Sequence, residues 1–114
     1  MGRREVGLTR TAENAVAVLG QQIRMARVAR GMTAERLAGA AGISPTTLSA
    51  IERGKGASSI GNVFNVASIV GVPLFGVDDP SELIALRRRG EERLALLPTR
   101  VHQPRKSNDD GLDF

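Results

Sequence analysis

The sequence predicts an all-α fold, and three observations carry that expectation. Apolar residues recur at three- and four-residue steps in every periodic segment, and no segment alternates with period two. The periodic segments are opened by Ser, Thr or Asp and closed by Gly, which is helix punctuation. The chain has 114 residues, 41% of them hydrophobic. That is enough for one modest core and too little for a second of similar size.

The segments follow in order. Residues 1–11 read as a flexible N-terminal arm that offers Arg3, Arg4 and Arg10 to phosphate. A first helix is expected from Ala12 to Arg30, with Val16, Leu19, Ile23 and Ala26 as its buried stripe. Gly31 follows as the residue that can turn the chain left-handed at no steric cost. Thr33 caps a second helix from Ala34 to Ala40, with Glu35 near its positive end and Leu37 and Ala38 inward. Gly42 ends it, and Ile43 is expected to fill the space between two helices.

Ser44-Pro45 opens a third helix that runs to about Arg53. Ser caps it, and Pro at the first helical position gives up only a donor that has no partner there. Leu48 and Ile51 point inward, and Gly54 stops the helix. A fourth helix, capped by Ser58 or Ser59, is expected to turn Ile60, Val63, Phe64, Ala67 and Val70 inward before Gly71 and Pro73 end it. Leu74 to Val77 fit one further helical turn, which closes a first domain over residues 12–77. Asp79 and Glu82 then form a capping-box arrangement. They open an amphipathic helix within residues 78–98, striped by Leu83, Leu86, Gly90, Leu94 and Leu97. Residues 99–114 have no periodicity and read as a disordered tail.

Charge narrows the function. The chain carries 16 basic and 12 acidic residues, a formal charge of +4. Fourteen of the basic residues are Arg, whose planar fork suits phosphate. Residues 1–60 hold nine basic and four acidic groups, whereas residues 107–114 hold three Asp and no base. A basic body with an acidic tip suits a polyanion surface and a separate peptide end.

Several classes are excluded. There is no Cys, so thiolate metal sites and disulfides are out, and the single His, His102, cannot make a site that needs two imidazoles. No phosphate-binding Gly-rich loop or dinucleotide fingerprint is present. Glu91-Glu92 and Asp109-Asp110 do not make a catalytic pair, because Arg88 four residues before Glu92 gives a surface ion pair instead. An enzyme is therefore not expected, and neither a cofactor nor a metal. No apolar run is long enough to cross a membrane, and residues 1–10 lack the apolar core of a secretory signal. A cytoplasmic protein is the expectation.

The second and third helices, joined by a tight turn through Gly42, have the lengths of a helix-turn-helix. Such a unit lays its second helix in the major groove and its first across the backbone. Residues 19–74, LGQQIRMARVARGMTAERLAGAAGISPTTLSAIERGKGASSIGNVFNVASIVGVPL, resemble the Xre/Cro/repressor helix-turn-helix family. The pattern is IRxxRxxxGMTxExLAxxxGISxxTLSxIERGK, followed by an AxxxGVP closing helix. The resemblance implies a five-helix, repressor-like bundle, extended here by the C-terminal helix and tail. It also implies a homodimer that binds double-stranded operator DNA and represses transcription.

On that register Arg27 and Glu52 pair structurally between the first and third helices. Thr33, Ser44, Thr46, Thr47, Ser49, Arg53 and Lys55 form the DNA-binding set. Thr33, Thr47, Arg53 and Lys55 suit phosphate, and Thr46 and Ser49 suit base edges. The chain departs from the family where a Gln is common and Ala34 stands. Long polar residues are also replaced, by Pro45 and Ala50. Specificity then leans on DNA shape, half-site spacing and the Arg-bearing arm.

The tail adds a second resemblance. Asp110-Gly111-Leu112-Asp113-Phe114 is similar to the acidic-aromatic ending of HipB-type antitoxins. It implies a HipA-like Ser/Thr kinase toxin as partner, bound through Leu112, Asp113 and Phe114. The alternative is a free-standing Xre-family regulator without a toxin.

Overall fold

A computed structural model of the chain describes residues 7–55 and 57–101. Five helices and no strand occur among the described residues, so the fold is all-α as expected: α1 (Arg10–Ala29), α2 (Ala34–Ala41), α3 (Pro45–Glu52), α4 (Ile60–Val70) and α5 (Pro80–Ala95). The chain divides into two units, Met1–Asp79 and Pro80–Phe114.

The first unit is built by capping and one core. Thr9, Thr33, Ser44 and Ser59 each stop a helix from the front, their hydroxyls accepting an amide of the first turn at 3.0–3.2 Å. Each such cap contributes about 1 kcal/mol. Thr9 shortens the expected arm, because the Thr9 carbonyl and hydroxyl start α1 two residues before Ala12. Ser59, not Ser58, caps α4.

The core is Ile23 from α1, Leu37 and Ala38 from α2, Leu48 and Ile51 from α3, Val66, Ala67 and Val70 from α4, and Val72. Val16, Leu19 and Ala26 are half-buried on the same side of α1. One expectation for α4 is corrected. Ile60 is 71% exposed, whereas Val66 is fully buried. The buried arc centres on Val63, Val66 and Val70. At 100° per residue this leaves Ile60 and Phe64 on its margin, and Phe64 is only half-buried.

Leu74 to Val77 are also corrected. They form no helical turn. Leu74 and Val77 make an antiparallel bridge, and the Val77 amide donates to the Leu74 carbonyl at 3.1 Å. Phe75 (φ 56°) and Gly76 (φ 74°) lie between them. Two consecutive left-handed residues are the backbone of a tight reversing turn, not of a helix. The Phe75 ring meets Phe64 edge-on at 5.8 Å.

In the second unit, α5 begins directly after Asp79 and ends at Ala95, two residues short of Leu97. None of its residues is buried. Its surface ion pair joins Arg87 to Glu91 at 3.0 Å, where Arg88–Glu92 was expected.

Candidate nucleic-acid interface

The interface is held from behind by the crossing of α1 and α3. Gly20 is buried in α1. A Cβ at Gly20 would lie 2.5 Å from the Ile51 carbonyl oxygen and 2.8 Å from that of Glu52. The last turn of α3 therefore rests on bare α1 backbone. A lone Gly on the inward side of an amphipathic helix is the signal of such an approach, and the sequence reading passed over it.

Two turns further along α1, Arg27 reaches the same end of α3. Its Nε donates to Glu52 Oε2 at 2.7 Å, its Nη2 to Glu52 Oε1 at 3.0 Å and its Nη1 to the Met32 carbonyl at 3.0 Å. Only 12% of the Arg27 side chain and 8% of that of Glu52 are exposed. The hydrogen bond to Glu52 raises the Arg27 pKa against the opposing effect of burial. The guanidinium, already a strong base, is thus held in its charged form. With each of its three guanidinium nitrogens donating, Arg27 fixes α1, α3 and the α1–α2 turn to one another.

α2 is set against α3 by the turn at Gly42 (φ 71°). The Gly42 amide bonds back to Gly39 at 3.2 Å and that of Ile43 to Ala38 at 3.0 Å. A side chain at Gly42 would strain the left-handed backbone that makes the corner. α4 supports α2 at this same end, where Asn65 Nδ2 donates to the Ala41 carbonyl at 3.3 Å.

On this frame the outer side chains fall as follows. Thr33, Ser44, Thr46, Ser49, Arg53 and Lys55 are exposed, and Thr47 is half-buried. Thr33 Oγ1 accepts from the Arg36 amide at 3.1 Å. A hydroxyl that accepts in this way keeps its own proton to donate outward. Ser44 Oγ accepts from the Thr47 amide at 3.0 Å and donates to Thr47 Oγ1 at 2.9 Å. The donor left over on that cap is the Thr47 hydroxyl. Thr46 and Ser49 stand three residues apart on α3 and so share a side of the helix. Arg53 and Lys55 continue past its C-terminus, their amides tied to Ser49 and Ala50 at 3.0 and 2.9 Å. Ala34 and Ala50 are half-buried. With Glu52 neutralised by Arg27, the outer charges of residues 33–55 are Arg36, Arg53 and Lys55 against Glu35. Small hydroxyls ringed by basic side chains can meet a duplex in two ways. Cations and capped helix starts are suited to phosphates, and Thr and Ser side chains to base edges.

Residues 23–77 match the family described as helix-turn-helix. The match covers 55 of the 114 residues, just under half of the chain. The matched helix-turn-helix family is one of DNA-binding transcription regulators rather than of enzymes. No curated protein and no solved structure gives a significant match to the chain. No helix of the described residues is long and apolar enough to cross a membrane, and no cluster of metal-ligating side chains occurs among them. Leu112, Asp113 and Phe114 lie outside the described residues, as do Arg3 and Arg4.

Proposed function

We propose that this chain is a sequence-specific transcriptional repressor that binds double-stranded operator DNA as a homodimer. We further propose that it is the HipB-like antitoxin of a type II toxin–antitoxin module. In that role it represses its own operon and binds a HipA-like Ser/Thr kinase toxin. The exposure of Thr46 and Ser49 on a helix clamped by Arg27, Glu52 and Gly20 supports the DNA reading most. Thr46 and Ser49 face the bases. Thr33, Thr47, Arg53 and Lys55 hold the phosphates, and Ser44 orients the Thr47 hydroxyl toward them. The toxin reading is supported by the acidic-aromatic stretch Asp110–Phe114, through which Leu112, Asp113 and Phe114 engage the kinase.

The test of the DNA reading is Thr46→Asp, which sets a carboxylate among the phosphates. Electrophoretic shifts with operator DNA are expected to vanish while the helical circular dichroism stays unchanged. Normal binding by the folded variant would reject this placement of α3. For the toxin reading, a pull-down from the native host is compared with and without residues 99–114. Loss of a kinase on truncation is the expected result. A regulator that keeps DNA binding and captures no kinase in either form is the free-standing alternative.

A further inference from the structure

α5 is a helix of sixteen residues with no buried side chain. Leu86, Leu94 and Leu97 are 37%, 66% and 60% exposed, and Leu83 is half-buried. The amides of Leu96 and Leu97 bond to the carbonyls of Arg93 and Leu94 at 3.1 Å. The right-handed winding therefore continues through Leu97. At 100° per residue, Leu83, Leu86, Gly90, Leu94 and Leu97 share an arc of about 80°. A Cβ at Gly90 would meet nothing within 4 Å.

The stripe reads the same from both ends. Leucines stand seven and four residues before Gly90, and four and seven residues after it. An isologous two-fold interface has this requirement: the residue n places before the axis must suit the residue n places after it. The missing side chain at Gly90 lets two backbones come together where the axis would pass. An unrelated partner places no such demand on spacing, and a second copy of the same helix does.

We propose that α5 is a self-association surface on which two copies pair antiparallel across Gly90. Leu83 packs against Leu97 of the second copy, and Leu86 against Leu94 of the second copy. In this arrangement each flank of the stripe faces itself. One flank carries Arg87 and Glu91, so Glu91 lies beside Arg87 of the second copy. The other carries Arg89 and Arg93, which repel their counterparts until salt screens them. Sixteen residues make a rod about 24 Å long. A contact of that length falls short of the roughly 1,200 Å² of a stable standard interface. The dimer therefore dissociates in the micromolar range. The inference deepens the homodimer of the proposed function by giving it an interface, and its test uses no DNA, so either can fail alone.

The experiment is sedimentation of the full chain through the micromolar range. Leu86→Glu is expected to weaken self-association at least ten-fold. Adding Leu94→Arg to it sets Glu against Arg across the two-fold axis and is expected to restore most of the loss. Because the chain has no Cys, single thiols map the direction independently. On oxidation Gly90→Cys gives a covalent dimer, and Leu83→Cys, whose counterpart lies at the far end, does not. A monomeric wild type would overturn the proposal. So would an unaffected Leu86→Glu, a double variant no better than the single, or cross-linking through Leu83→Cys as efficient as through Gly90→Cys. Raising salt is expected to leave the dimer as strong or stronger, and a steep weakening would also overturn it.

Discussion

The two units of this chain contain the same chemistry in opposite surroundings. Each has an Arg–Glu ion pair, a glycine inside a helix and an apolar stripe at three- and four-residue steps. In the first unit Arg27–Glu52 is nearly sealed, Gly20 lies against backbone and the stripe joins a core of nine residues. In the second, Arg87–Glu91 is 60–81% exposed, Gly90 faces open space and the stripe is exposed from Leu86 onward, with Leu83 half-buried. Periodicity forms the helix in both cases. What the helix then touches decides what each residue contributes.

Matched substitutions in the two units test this difference. Arg27→Met or Glu52→Gln strands a buried polar group and should cost about 3–5 kcal/mol of stability, read from urea unfolding. A loss below about 1 kcal/mol would mean that the α1–α3 clamp contributes little to the domain. Gly20→Ala should destabilise by about 1–3 kcal/mol, because the new methyl meets the carbonyls of Ile51 and Glu52. Gly90→Ala is the same change with the opposite sign. Measured where the chain is monomeric, it should raise the helicity of α5, with a gain of about 1 kcal/mol from propensity alone. Equal signs for the two glycines would refute the distinction. Arg87→Ala should change stability by no more than about 0.5 kcal/mol.

Much of the first unit was legible because its rules are local. Thr33, Ser44-Pro45 and Gly42 place the boundaries of α2 and α3 through hydrogen bonds within a few residues. Thr9 obeys the same capping rule, but the apolar stripe of α1 begins only seven residues later, at Val16. The misplaced features depend on distant partners. Ile60 and Val66 carry equal apolar signals, and only the positions of α1 and α2 around α4 decide which is covered. Leu74–Val77 has helical spacing, yet Pro73, Gly76 and the Phe75–Phe64 ring contact favour a reversing turn. Arg87 and Arg88 have equivalent acidic neighbours four residues on, so nothing in the sequence separates Arg87–Glu91 from Arg88–Glu92. Gly20 was visible as a residue, but its meaning required the backbone of α3.

The domain's outer surface follows the same logic. Hydroxyls and cations at residues 33–55 are laid out by local capping, whereas their presentation depends on the buried clamp behind α3. Binding that runs through Arg53 and Lys55 should fall steeply between low and physiological salt, because each phosphate contact releases counterions. A flat response would indicate a protein partner at this surface instead.

The most direct measurement is an amide chemical-shift titration of the full chain with a duplex recovered from genomic DNA by the wild-type protein. The largest shifts are expected at Thr33 and from Ser44 to Ser49, extending to Arg53 and Lys55, and they should disappear in Thr46→Asp. Shifts confined to other helices, with Thr46 and Ser49 unmoved at saturation, would contradict it.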